Sequence, residues 1–210
     1  NEVRDYFGIT VQAATSGVSL QTNVVYALSA SIDDTSIDFG NLTPQTAITN
    51  QSSTLSVYTN NDDGYQVQLN RNNAVTSTMT LGGLTNATNT IPDYTSWNSL
   101  ASGGSGNATA ATTTAGVGEK LSFRLRTTGT TSGCWSANAS TSVGWGANDN
   151  DGTAKFAGFP TSTTSGAMSI NCSIFSSATT TLNHNYRLDA PVGQYTGTYS
   201  GGITYTVTAN

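Results

Sequence analysis

Charge is what this sequence has least of. Only 9% of its 210 residues are Asp, Glu, Lys or Arg, where about a quarter is usual for a soluble domain. The seven basic residues do not cluster and the net charge is −5. That argues against nucleic acid, whose binding rests on neutralising phosphates, and against a polybasic membrane patch. No apolar run approaches the ~20 residues that span a bilayer as a helix, and no segment of useful length carries a helical period. Histidine occurs once, at His184, and glutamate twice, at Glu2 and Glu119. The ligands of a zinc site are missing. A serine-rich chain always permits an imagined Ser–His–Asp set, but no Gly-x-Ser-x-Gly elbow supports one. The expectation is a protein that is not an enzyme and needs no cofactor. A lone histidine beside a strand reads as a surface or structural residue.

Ser, Thr, Asn and Gly take the place of charge. Nine Tyr, six Phe and three Trp supply material for a core, so the chain does not read as disordered. Its length suits one large all-β domain or two small ones. Six Asn-x-Ser/Thr sequons begin at Asn41, Asn50, Asn86, Asn107, Asn138 and Asn171. In so Asn- and Thr-rich a chain several arise by chance, and glycosylation also needs exposure and a suitable host. The two cysteines, Cys134 and Cys172, are expected to pair in an exported protein and to be free thiols in a reducing compartment. A bridge between them would enclose 37 residues and contribute about 3–4 kcal/mol in the chain-entropy account. The first residues do not read as a secretory leader, so an exported protein is expected here in mature form.

Period-2 alternation marks the strands. At the C-terminus Ile203, Tyr205, Val207 and Ala209 share one face, and Thr204, Thr206 and Thr208 the other. At the N-terminus, within 5–14, Phe7, Ile9, Val11 and Ala13 alternate with Gly8, Thr10 and Gln12 before the break at Thr15-Ser16-Gly17. A longer strand is predicted over 18–32 and a short one at Ile37 and Phe39. Thr54–Tyr58 and Tyr65–Leu69, joined by Asn60-Asn-Asp-Asp-Gly64, predict a β-hairpin. Met79 and Leu81 suggest a further strand, and so does Leu121-Ser-Phe-Arg-Leu125. Between 127 and 185 strands are hard to place, and another begins at Tyr186 and Leu188. Roughly eight short strands separated by turn signals suggest a β-sandwich.

Two further patterns have alternatives. Asn148-Asp-Asn-Asp-Gly-Thr153 offers oxygen ligands at Asp149 and Asp151, as calcium loops do. It lacks the flanking ligands of an EF-hand and reads first as a polar turn, like 60–64 and Asp33-Asp34. Trp97, Trp135 and Trp145 would stack on sugar rings if exposed, and would otherwise pack a core.

Taken in order, Thr35-Ser-Ile-Asp-Phe-Gly-Asn-Leu-Thr-Pro44, Asn60-Asn-Asp-Asp-Gly-Tyr-Gln-Val-Gln-Leu69, Leu121-Ser-Phe-Arg-Leu125, Gly144-Trp-Gly146 and Ala190-Pro-Val-Gly-Gln-Tyr through Thr208 resemble the spore-coat-U-like family of archaic chaperone–usher pilins. Archaeal thread subunits and TasA-like biofilm fibres are similar in their logic. The resemblance implies an immunoglobulin-like or jelly-roll-type β-sandwich that lacks one strand, completed by a neighbour's N-terminal segment. The family keeps its cysteines near the start of the fold, whereas here they are Cys134 and Cys172. The expected plan is an N-terminal extension over 1–17 and a single domain over 18–210 with excursions at 82–118 and 127–181. Phe7, Ile9, Val11 and Ala13 would then be the donor side chains. Partners would be neighbouring copies and, as in the pilins, a chaperone and usher. The competing reading of 5–14 is an edge strand of its own domain. At the level of function, an extracellular cell-surface filament stands beside a secreted or surface-attached glycan-binding adhesin.

Overall fold

In a computed structural model of the chain, the described residues are 21–72, 77–82, 88–94, 120–126, 130–131, 156–159, 169–172 and 176–210, with backbone only for Asn50, 169–172 and 176–178. Ten strands and no helix occur among them. They are β1 (Leu28–Ile32), β2 (Ala47–Thr59), β3 (Tyr65–Arg71), β4 (Met79–Leu81), β5 (Thr90–Ile91), β6 (Leu121–Leu125), β7 (Ser169–Cys172), β8 (Ser176–Asp189), β9 (Tyr199–Ser200) and β10 (Ile203–Ala209). Three antiparallel sheets result, ordered β1-β2-β8-β6, β10-β3-β7 and β5-β4-β9. The protein is all-β.

The alternation of the last strand is realised. Ile203, Tyr205 and Val207 are half-buried against the core while Thr204, Thr206 and Thr208 are exposed. β10 pairs residue for residue with β3, from Ile203 opposite Arg71 to Ala209 opposite Tyr65. In β3, Tyr65, Val67 and Leu69 are fully buried. Between the first two sheets the inward side chains meet directly. The Tyr65 hydroxyl hydrogen-bonds the Thr180 hydroxyl at 2.5 Å and the Tyr186 hydroxyl that of Tyr205 at 2.5 Å, while Ser53, in the same sheet as Tyr186, bonds it at 2.7 Å. Phe159 stacks on Phe123 with ring centroids 4.5 Å apart. Leu55, Val57, Leu182 and Leu188 complete the apolar layer, and removing such side chains from water is the main favourable term in the fold.

The predicted hairpin does not form. β2 pairs with β1 and β8, and β3 with β10 and β7, so residues 60–64 carry the chain from one sheet to the other. The reason lies in Asn61, which is buried and turns its amide inward. Its Nδ2 donates to the Asn210 carbonyl at 2.7 Å and to the Gly64 carbonyl at 3.3 Å. Gly64 takes φ +79°, a left-handed value that glycine adopts without steric cost. The positive φ that suggested a hairpin is present, but it serves a corner.

Other expectations are also revised. Within the described part of 18–32, only Leu28–Ile32 is strand. Its partner ends at Thr59, opposite Leu28, and beyond that point the Asn60 side chain bonds the backbone instead, accepting from Ala27 N at 2.6 Å and donating to Val25 O at 2.9 Å. Ile37 and Phe39 belong to no strand, although both pack against the core. The short strand expected at Tyr186 is the end of β8, fourteen residues long and interior to its sheet. In β6 all five residues are buried. Phe123 faces Phe159, and the Arg124 guanidinium lies 5.8 Å from the centroid of the Phe156 ring.

Candidate functional site

A sheet edge is chemically active because its N–H and C=O groups lack a strand partner. The β6 edge is covered. Phe123 and Ala157 exchange both backbone hydrogen bonds at 2.9 Å, and Leu121 bonds Pro92 O and Tyr94 N at 2.8 Å. Gly158 makes that cover possible, since a Cβ there would lie 1.8 Å from the Tyr94 carbonyl oxygen. The edges of β1 and β10 differ. Among the described residues β1 pairs only with β2, and β10 only with β3.

Between these two edges the interior opens. A cavity of about 530 Å³ is bounded by Ile32 of β1, by Ile203 and Tyr205 of β10, and by Phe39, Phe159 and Tyr186. A second, of about 520 Å³, reaches Phe39, Met79, Ile91, Leu188, Gln194 and Tyr195. Residues 34–44 run between the two as a strap. At one end Asp33 N donates to Thr54 O at 3.1 Å and Thr54 N to Asp33 Oδ1 at 2.6 Å. At the other, Gln45 N donates to Ala190 O at 3.2 Å. Between the anchors the strap's bonds are local, Ser36 N to Asp34 Oδ1 and Gly40 N to Asp38 Oδ1. Ile37 and Phe39 point inward and line both cavities.

The groove floor is apolar with hydroxyl tips. Burial pushes the Tyr186 hydroxyl up from its ordinary pKa, and Tyr205 well above it. Burial likewise drives His184 down to about 3, against weaker opposing pulls from the Leu182 backbone and Asp33. The Tyr205 ring meets the His184 ring edge-on at 5.1 Å. Asp93, held by Thr78 at 2.8 Å and by Arg71 at 3.1 Å, has its carboxyl raised by burial. Such a floor suits an apolar, uncharged occupant. Among the described residues no group of three His, Cys, Asp or Glu is placed to hold a metal ion.

The donor candidates Phe7, Ile9, Val11 and Ala13 lie outside the described residues, as do Cys134, Asn86, Asn107, Asn138, Asp149, Asp151 and the three tryptophans. Asn41 is exposed on the strap, at the second cavity. Asn50 lies in β2, and Asn171 and Cys172 in β7. Asp33 and Asp34 spend their carboxylates on backbone N–H groups of Thr54 and Ser36. The resemblance implied a groove, but sequence reasoning did not place the strap that lines it. The Ile37/Phe39 alternation is the strap's signal in the sequence, and it has the same form as a short strand. Comparison with family models, with curated proteins and with solved structures finds no match for the chain.

Proposed function

We propose that this chain is a structural, non-catalytic subunit of an extracellular filament, such as a pilus or biofilm fibre, that polymerises by donor-strand complementation. Residues 5–14 of one copy enter the groove between β1 and β10 of the next. The observation that carries this reading is that β1 and β10, whose residues line an apolar cavity, each have a single strand partner among the described residues. An added strand would satisfy backbone groups along an edge and set alternate side chains into the core. Phe7, Ile9 and Val11 have the required spacing, and each buried residue of that size contributes about 1.5–3 kcal/mol before ordering costs. A heterologous contact of this kind does not close and so extends indefinitely.

Topology supports the same reading. The order β1-β2-β8-β6 follows the A-B-E-D sheet of an immunoglobulin-like sandwich, and β10-β3 takes the place of F-C. Beyond β10, where strand G would lie, no strand is paired among the described residues. β7 departs from the pattern, since it flanks β3 but follows β6 in the chain.

Electron microscopy of the full-length chain beside a version lacking residues 1–14 tests the proposal. Fibres from the first, and a less stable monomer from the second, are expected. Two equally stable monomers would remove the donor role and leave the glycan-binding adhesin as the reading to pursue.

A further inference from the structure

The large apolar side chains exposed among the described residues fall into two sets. Val24 (78% exposed), Val25, Tyr26 (77%), Leu28 and Tyr58 form one, and Val192 (62%) and Tyr195 (67%) the other. The first set sits beside the corner at Asn60, where β1 begins opposite Thr59. The second sits on the loop after β8, whose last residue, Asp189, lies opposite Ala47. Thr59 and Ala47 are the two ends of the thirteen-residue β2. At about 3.3 Å per residue the two sets stand roughly 40 Å apart, at opposite ends of the molecule.

Both sets are held in shape. Asn60 clamps Val25 and Ala27 through its side chain. The loop is fixed by Gln194 N donating to Pro191 O at 3.3 Å, by Gln194 Nε2 donating to the Tyr199 hydroxyl at 2.5 Å, and by that hydroxyl donating to Tyr195 O at 3.0 Å. Exposed apolar side chains that are grouped and held in place favour an interaction surface. Two unlike patches at opposite ends define a heterologous contact.

We infer that these ends are mating surfaces between successive copies, with Val24-Val25-Tyr26 of one copy packing on the Pro191–Tyr195 loop of the next. The inference rests on the filament reading and adds a second contact to it. The geometry is consistent with the groove. Ile32 and Ile203, which line one cavity, and Tyr195, which lines the other, lie away from the corner end, so a donor leaving the corner end of one copy would meet these cavities in the next. Ten residue steps separate Ala14 from Val24, a reach of up to about 35 Å. The donor can therefore occupy the groove while residues 24–26 rest on the neighbouring loop.

The test is thiol cross-linking with a short bismaleimide in the full-length chain. Val25→Cys and Tyr195→Cys are introduced singly and together, and the parent chain controls for Cys134 and Cys172. The double variant should give a ladder of covalent multimers on a denaturing gel. Neither single variant alone should link, and an equal mixture of the two should stop at dimers. Fibres without a ladder would overturn the junction alone, as would dimers from Val25→Cys by itself, which would show that end pairing with its own kind. No fibres and no links would overturn the junction and the filament reading together.

Discussion

The side chain with the clearest physical signature is His184. It is fully buried at the centre of β8, between Leu182 and Tyr186 on the inward face. Among the described residues neither ring nitrogen has a hydrogen-bond partner of ordinary length. A charged imidazolium there would lose its hydration with too little in return, which is why the pKa falls from 6.5 to about 3. The consequence for stability has a definite sign. Between those two values the unfolded chain binds the proton and the folded chain does not, so stability is full above about pH 6.5 and falls as pH drops toward 3. The slope is on the order of 1 kcal/mol per pH unit. Urea unfolding midpoints at intervals from pH 8 to 4.5 should be flat at first and then fall below about pH 6.5. In His184→Leu, whatever its offset, the decline over that window should shrink markedly. An unchanged slope would mean that other groups carry the acid sensitivity.

At the scale of elements, the sheet-to-sheet corner shows what alternation can and cannot tell. Strand existence at β2, β3, β6 and β10 was legible because one inward face of each is apolar. Pairing was not, because a hairpin and a corner use the same turn chemistry. What separates them is a tertiary fact, the Asn61 amide reaching the Asn210 carbonyl 149 residues away. Asn61→Ala removes that donor and leaves a mostly buried corner short of a bond. The expected cost is about 1–3 kcal/mol, read as a lower denaturant midpoint with an unchanged m-value. A change under about 0.5 kcal/mol would show that the corner is held by Gly64 and the backbone alone. Most of β8, before Tyr186, was illegible for a different reason. Thr180, His184, Asn185, Arg187 and Asp189 are all buried along it, with Arg187 and Asp189 paired at 2.9 Å. Polar residues buried inside look, in sequence, like residues left outside. The strap failed in the opposite sense, since Ile37 and Phe39 are apolar and inward without any strand to pair with.

For the molecule as a whole, the decisive feature is which edges stay open. A sheet with free edges tends to recruit strands, and this chain covers β6 with residues 92–94 and 156–158 while leaving β1 and β10 with one partner each among the described residues. The proposed donor would fill the groove between them, and its contribution can be separated from polymerisation by supplying it in trans. A peptide of residues 1–17 added to the chain lacking residues 1–14 should bind the folded state and raise its stability by mass action. At a hundredfold excess over its Kd the gain is about 2.7 kcal/mol, or roughly 5–10 °C in Tm for a domain of this size. Calorimetry across a peptide titration measures it. The same peptide with Ile9→Asp should have little effect, because a carboxylate driven into the apolar floor near Phe159 and Ile203 would lose its water without a cation to meet it. Equal stabilisation by both peptides would mean that binding is not through alternate side chains in the groove, and no stabilisation by either would mean that the groove does not accept this strand.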